Sequence, residues 1–181
     1  MKTDLSLYDN SWYRPGSKIK RLLWYAVSAL FFQGSWFAWS SFKVFLLKCF
    51  GSKIGQGVVI KPKVTIKYPW KLVVGNQCWI GEGVWIDNLD LVTLDNHVCI
   101  SQGALLLCGN HNYKSRTFDL IIKPIHVESG AWIGAKSVIG PGVIVGNHAV
   151  LSLGSVASNN LDSFGIYRGN PAIKIKTRNI L

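Results

Sequence analysis

Aliphatic residues recur at every sixth position between Val127 and Val156, and this period organises the chain. The stretch divides into VESGAW, IGAKSV, IGPGVI, VGNHAV and LSLGSV, each with an aliphatic first residue and a small residue or valine in fifth place. A period of six fits neither the 3.6 residues of a helix nor the two residues of a flat strand. It is typical of a solenoid whose short edges each bury one aliphatic residue and then turn. We therefore predict an all-β solenoid rather than a β-sandwich. Glycines in second place, such as Gly134, are expected to adopt dihedral angles closed to β-branched residues.

The same period begins at Ile54 and is interrupted three times before Val127. A two-residue slip precedes Val74, an eight-residue step covers residues 86–93, and residues 107–124 leave the repeat altogether. Three hexads per coil predict about five coils, spaced about 4.8 Å apart as paired strands are. The predicted divisions are an N-terminal arm with an apolar helical segment (1–51), the repeat with its inserted loop (52–158) and a basic tail without hexads (159–181).

Residues 22–42 contain no charged side chain and are rich in aromatic residues. Their number could span a bilayer, although serine, glutamine and glycine dilute the apolar content. Three interpretations stay open: helices broken near Gly34 that pack on the open end of the solenoid, a segment lying at a membrane surface, and a true span. Residues 42–50 continue as a short helix that Gly51 ends.

Composition changes this picture in two respects. Twenty Lys and Arg against nine Asp and Glu give a formal charge of +11, which predicts an anionic partner such as a phosphorylated small molecule or a phospholipid surface. No basic run with interleaved aromatics resembles a nucleic-acid module, so no nucleic acid partner is expected.

The four cysteines lack CxxC spacing, and Cys78 takes an inward place in its hexad. We expect free thiols and a reducing, cytoplasmic location.

The interruption at residues 107–124 is where chemistry is expected, because the edges of a solenoid are occupied by packing while loops can present reactive side chains. His111 follows Gly109 and Asn110 in this loop. An imidazole titrates near neutral pH and can take the proton of an attacking hydroxyl; a merely solvated side chain is the alternative. The other histidines lie at hexad corners, where solvated side chains are expected: His97, His126 and His148.

The hexads, the loop sequence GNHNY and the closing RGNPAIKIKTR together resemble the hexapeptide-repeat O-acetyltransferases that use acetyl-CoA. Within these the chain is most similar to the colanic acid biosynthesis type, from about Trp12 to Arg178. The resemblance implies a left-handed parallel β-helix, an exception to the right-handed crossover preference. It also implies a homotrimer with sites in clefts between subunits. His111 would be the general base in direct acetyl transfer to a sugar or glycan acceptor of exopolysaccharide or capsule biosynthesis.

The other expected site residues also come from this resemblance. Contacts to acetyl-CoA are expected at Trp132, Gly134, Leu153, Gly154, Ser158, Lys174 and Lys176, with Trp132 along the pantetheine arm. Contacts to the acceptor are expected at Asp87, Asn88, Tyr113 and Arg116. Plainer explanations stay open beside these: an exposed aromatic, solvated lysines, and a turn whose Asp and Asn serve its conformation alone.

Two other functions stay open beside the transferase. A metalloenzyme on the same solenoid would need three convergent imidazoles, and no HxxxxH pair occurs, so no metal is expected. A non-catalytic scaffold or membrane-associated binding module would leave the loop histidine and the basic tail without a role. Peripheral contact of a transferase with the inner membrane face would use positive charge for both acidic lipid and the phosphates of CoA.

Overall fold

A computed structural model describes residues 2–180, and its short strands wind into a three-sided solenoid. Five coils each contribute three strands, and a hairpin interrupts the winding after the third coil. In chain order the strands are β1 (Lys53–Ile54), β2 (Val59–Ile60) and β3 (Thr65–Ile66); β4 (Leu72–Val74), β5 (Trp79–Ile80) and β6 (Trp85–Asp87); β7 (Val92–Leu94), β8 (Cys99–Ile100) and β9 (Leu105–Leu107); the hairpin β10 (Gly109–His111) and β11 (Leu120–Ile122); β12 (Ile125–Val127), β13 (Trp132–Ile133) and β14 (Val138–Ile139); and β15 (Ile144–Val145), β16 (Val150–Leu151) and β17 (Val156–Ala157).

Successive coils stack their strands into three parallel sheets. Sheet A contains β1, β4, β7, β12 and β15; sheet B contains β2, β5, β8, β13 and β16; sheet C contains β3, β6, β9, β14 and β17. The predicted left-handed parallel β-helix of hexapeptide repeats is confirmed.

The first position of each hexad fills the interior of the prism. On sheet B, five such residues stack in one inward row and are each no more than 1% exposed: Ile60, Ile80, Ile100, Ile133 and Leu151. Because every coil covers the next, this burial accumulates along the stack. The inward position predicted for Cys78 is also confirmed, since its side chain is fully buried.

The glycines in second place are required for close packing of coils, not for their dihedral angles. A Cβ on Gly134 would lie 2.5 Å from the backbone nitrogen of Leu153 in the next coil, yet Gly134 has no positive φ. The left-handed conformation falls instead on the fourth place, with φ of 55° at Lys136 and 56° at His148. The dihedral role predicted for the second place is therefore wrong, because the chain reverses two residues later.

The departures from the hexad period lie where sheet C leads into sheet A, which we call the C–A corner. Lys53 pairs with Val73 in the first coils, whereas His126 pairs with Ile144 in the last, so the early coils are two residues longer. A 3-10 turn, Pro69–Lys71, takes up the extra residues in the first coil. Residues 88–91 do so in the second coil, and the β10–β11 hairpin projects from the third.

Two helices close the first coil: α1 (Lys18–Phe31) and α2 (Ser40–Cys49). The indole of Trp24 donates a hydrogen bond of 2.8 Å to the carbonyl of Ile66, and Leu47 of α2 joins the same hydrophobic core. The segment therefore packs on the solenoid. Among residues 2–180, no helix is long and apolar enough to cross a membrane.

The C-terminal tail extends the solenoid although it has no hexads. Leu161 bridges Val145 of sheet A, and β18 (Gly165–Gly169) pairs with β16 of sheet B. β19 (Ala172–Thr177) then folds back antiparallel on β18. The five expected coils are thus followed by a partial sixth.

Candidate active site

The imidazole of His111 is oriented by a backbone carbonyl. His111 ends β10 and pairs with Leu120 of β11, and its Nδ1 lies 2.9 Å from the carbonyl oxygen of Phe118. Because a carbonyl only accepts hydrogen bonds, Nδ1 must carry the proton. The lone pair of a neutral His111 therefore lies on Nε2, as a general base requires.

Aromatic contacts hold the ring of His111 in this orientation. The Phe118 ring stacks on it with a centroid distance of 4.4 Å and an interplanar angle of 7°. Phe118 has a φ of +52°, a conformation that costs a bulky residue of the order of 1–3 kcal/mol. This conformation belongs to the residue whose carbonyl fixes the imidazole, which supports a functional role for the loop.

An open groove of about 800 Å³ runs along the outer face of sheet B and the C-terminal hairpin. Trp132 forms one wall, where its indole donates a hydrogen bond of 2.9 Å to the hydroxyl of Ser101. Leu153 projects at a corner with 78% of its side chain exposed. The groove thus combines an aromatic wall with exposed aliphatic surface, as sites for a long, partly apolar ligand do.

Positive charge enters the groove from the C-terminal hairpin. Lys176 lines it together with Arg168 and Arg178, two arginines that were not among the predicted site residues. The guanidinium of Arg178 also donates to the carbonyls of Gly130 and His148, at 3.0 and 3.2 Å. The basic residues of the sequence RGNPAIKIKTR were the available signal for these arginines.

The structure brings together only part of the expected cofactor set. Trp132, Gly134, Leu153 and Lys176 line the groove. Lys174 instead forms an ion pair of 3.1 Å with Asp162, and the lysine holds the pKa of that carboxyl below its usual range. Gly154 has a φ of +65° at an open corner. Ser158 lines a smaller pocket beside Asn110 and Lys123 of the loop.

The residues expected to contact the acceptor have different surroundings in the single chain. Asp87 is 8% exposed and pairs with Lys67 at 2.8 Å, in a cavity of about 500 Å³ between α1 and sheet C. Tyr113 is exposed at the tip of the β10–β11 loop. Arg116 forms an ion pair of 3.3 Å with Asp4 of the N-terminal arm.

Asn88 is fully buried and its amide is engaged with backbone groups. Its Oδ1 accepts from the Tyr68 N–H at 2.9 Å, and its Nδ2 donates to the carbonyls of Tyr68 and Lys71 at 2.7 and 3.0 Å. These bonds tie the second turn of the C–A corner to the first. We therefore leave Asn88 out of the acceptor site proposed below.

The N-terminal arm lies against the loop that carries His111, a contact that no local sequence pattern predicts. The Tyr8 ring centroid is 5.6 Å from that of His111, and the backbone N–H of Asp4 donates to the carbonyl of Arg116 at 2.9 Å. Tyr13 donates a hydrogen bond of 2.7 Å to the carbonyl of Leu89, and burial raises the pKa of this phenol. The arm thus fastens the base of the loop as well as its tip.

The loop and the groove occupy opposite sides of one prism. His111 projects from the C–A corner, whereas the groove lies on sheet B, the face opposite that corner. One chain alone therefore does not place the imidazole beside the groove. No group of three or more His, Cys, Asp or Glu side chains within residues 2–180 is arranged to hold a metal ion.

Comparisons with known proteins agree with this architecture. No family model matches the sequence. The chain is 37% identical over 166 residues to WcaF of Escherichia coli K12, whose assignment as a colanic acid biosynthesis acetyltransferase is provisional; the match covers 92% of this chain and 91% of WcaF. The fold of the present chain is that of a hexapeptide-repeat acetyltransferase from Vibrio cholerae. The TM-score is 0.80 at 21% sequence identity, and the match covers 88% of this chain and 91% of that one. A galactoside acetyltransferase solved with coenzyme A gives a TM-score of 0.79 at 22% identity, covering 89% and 82% of the two chains. The expected resemblance is thus confirmed: the chain belongs to the hexapeptide-repeat acetyltransferases and is similar over most of its length to the colanic acid biosynthesis type.

Proposed function

We propose that this protein transfers the acetyl group of acetyl-CoA to a sugar hydroxyl in the assembly of an exopolysaccharide or capsule. Membership of the acetyltransferase family supports acetyl transfer as the reaction, and the name of the WcaF relative supports a polysaccharide sugar as the acceptor. The single observation that carries the mechanism is the hydrogen bond between Nδ1 of His111 and the carbonyl of Phe118.

In the proposed reaction His111 acts as general base in a direct transfer. Its Nε2 removes the proton from the sugar hydroxyl as that oxygen attacks the thioester carbonyl carbon. The C–S bond then breaks, the acetyl group stays on the sugar oxygen, and the proton passes from the imidazolium to the departing thiolate. A general base of this kind is worth about 10²–10⁴-fold in rate.

The groove on sheet B fits the chemistry of acetyl-CoA. Its aromatic and aliphatic wall, formed by Trp132 and Leu153, suits the pantetheine arm, and Gly134 remains a proposed backbone contact there. Arg168 and Lys176 supply positive charge for the phosphates. Lys174, Gly154 and Ser158 remain proposed contacts at the nucleotide end.

A ring of three subunits would complete the site. If sheet B of one subunit faces the C–A corner of the next, the groove of the first meets His111 of the second. Such a head-to-tail contact closes into a ring when the rotation is threefold. In that assembly Asp87, Tyr113 and Arg116 would border the acceptor, and contact with the inner membrane face belongs to the same proposal.

The test is acetyl transfer by purified protein with acetyl-CoA and a panel of sugars, nucleotide sugars and lipid-linked glycans. Thiol release and acceptor mass are followed together. His111→Ala should lower kcat by about 10²–10⁴-fold while the protein keeps its oligomeric mass. The matched control is His97→Asn, because His97 is an exposed corner residue and Asn tolerates its φ of +59°. Near-normal turnover by His111→Ala would refute the mechanism, and absence of transfer to every acceptor would favour a non-catalytic scaffold.

A further inference from the structure

The outward face of α1 is apolar along its length. Its exposed members recur at intervals of three and four residues and so form one stripe along the helix: Ile19, Leu22, Leu23, Ala26, Ala29 and Leu30. Leu22 is 70% exposed, while Trp24 and Ser28 on the opposite side are buried. A surface helix of a globular protein has polar side chains on its outer face, so this stripe indicates a partner.

The turn after α1 adds exposed tryptophans to this surface. Trp36 and Trp39 are 67% and 68% exposed. Phe31 of α1 packs edge-to-face on Phe37 and Phe42, with ring centroids 5.3 and 5.4 Å apart, so the turn is anchored on the helix. Tryptophan is enriched where apolar and aqueous phases meet. We call the α1 stripe together with Trp36 and Trp39 the N-terminal apolar face.

All of the net charge of the chain lies in the segment that carries this face. Residues 11–81 contain eleven Lys and Arg and no Asp or Glu, whereas the rest of the chain contains nine of each sign. Lys18 flanks the stripe at the start of α1, and Lys48 lies exposed near the end of α2. Lys63 and Lys67 of this segment pair with Glu82 and Asp87. The apolar face flanked by the exposed Lys18 and Lys48 matches the two attractions that an anionic bilayer offers, which are hydrocarbon and acidic headgroups.

We propose that the N-terminal apolar face docks this protein on an anionic phospholipid surface, with α1 lying in the plane of the interface. The fourteen residues of α1 make a helix of about 21 Å, short of the roughly 30 Å hydrocarbon core, so the helix lies on the bilayer and does not cross it. A second copy presenting the same face is disfavoured because Lys18 and Lys48, which flank the face, would repel the same lysines of the other copy.

The experiment is co-sedimentation of the full-length protein with vesicles of neutral phosphatidylcholine, and with vesicles in which part of the lipid is phosphatidylglycerol. The wild type should sediment with the anionic vesicles, and its binding should fall as salt is raised. Leu23→Gln with Leu30→Gln should weaken that binding by about 100-fold. Burial of each leucine side chain in the apolar phase contributes roughly tenfold to the binding constant, and Gln preserves the helix.

The matched control is the double variant Ile144→Gln, Ile173→Gln, which changes two exposed apolar residues far from α1. This variant should bind vesicles as the wild type does. The proposal is overturned if wild type stays in solution with anionic vesicles, if neutral vesicles bind it equally, or if the Leu23/Leu30 variant binds undiminished. It is also overturned if that variant loses its oligomeric mass, since the face would then be a contact between subunits.

The docking proposal rests on the membrane contact named in the proposed function and assigns it to a surface, and it can fail separately from the proposed acetyl transfer. Vesicle binding is measured without acetyl-CoA or acceptor, so it does not depend on turnover. Conversely, the Leu23/Leu30 variant should retain the transfer rate of the wild type toward a water-soluble acceptor, because neither leucine touches the groove or His111.

Discussion

Replacement of Asn88 by alanine should destabilise the protein without changing its affinity for the acceptor. The amide of Asn88 makes three hydrogen bonds to the backbone of Tyr68 and Lys71 and is fully buried. These bonds fasten the second turn of the C–A corner to the 3-10 turn below it. They therefore lie under the corner from which the loop with His111 projects, one coil away.

The expected loss of stability follows from the number of hydrogen bonds that the Asn88 side chain makes. Each contributes a net of about 1 kcal/mol, and the backbone groups of Tyr68 and Lys71 that lose a partner add part of their desolvation cost. We expect the free energy of unfolding to fall by about 3–5 kcal/mol, which lowers Tm by roughly 6–20 °C in a chain of this length. Asn88→Asp should be worse, because a buried carboxylate would face two carbonyl oxygens.

Thermal unfolding followed by circular dichroism, at one protein concentration, measures the effect. Asn159→Ala, at an exposed position, is the matched control and should change stability by less than about 0.5 kcal/mol. At a temperature where Asn88→Ala is still folded, its KM for the acceptor should equal that of the wild type. An unchanged Tm with a raised KM would refute this reasoning and return Asn88 to the acceptor site.

Three further predictions concern the site. Trp132→Ala should raise KM for acetyl-CoA by about 10–100-fold, while Trp79→Ala, at a residue that is 59% exposed on the same face, should not. Oligomers mixed from Trp132→Ala and His111→Ala subunits should regain up to about a quarter of wild-type activity, and no regain would place both residues in one subunit's site. Asp4→Arg should lower kcat by no more than about fivefold, because an exposed ion pair contributes little. The added Arg116→Asp should restore kcat at saturating acceptor, although the loss of Arg116 as a proposed acceptor contact should raise KM for the acceptor. A double variant whose kcat stays as low as that of Asp4→Arg would show that this pair does not position the loop.

The repeat could be predicted from the sequence because its cause is local. Each coil buries residues of its own hexads, so Ile133 and Leu151 indicate the interior without any knowledge of distant contacts. The reason why glycine occupies the second place of a hexad could not be predicted in the same way. The absence of a side chain at Gly134 looks the same in sequence whether it permits an unusual dihedral angle or avoids a clash with Leu153, nineteen residues away.

The acceptor side could not be predicted to the same depth because its contacts are made across coils. Asp87 and Asn88 are adjacent and both polar, yet the first lines a cavity and the second is enclosed by backbone. Nothing in an Asp- and Asn-rich turn distinguishes these environments. The contact of Tyr8 with His111 joins residues that are more than a hundred positions apart, and only the folded chain brings them together.

The insertions share one corner of the prism, where the proposed catalytic loop also lies. The β10–β11 hairpin projects from the corner at which the coils below it already depart from the hexad, in the Asn88 turn and the Pro69–Lys71 turn. The hairpin then holds the carbonyl of Phe118 against Nδ1 of His111, so the tautomer of the imidazole is set by backbone geometry rather than by a carboxylate. Because the insertion lies at this corner, the three sheets stay in register below and above it, and in the proposed reaction the unprotonated Nε2 of His111 is left to take the proton of the acceptor hydroxyl.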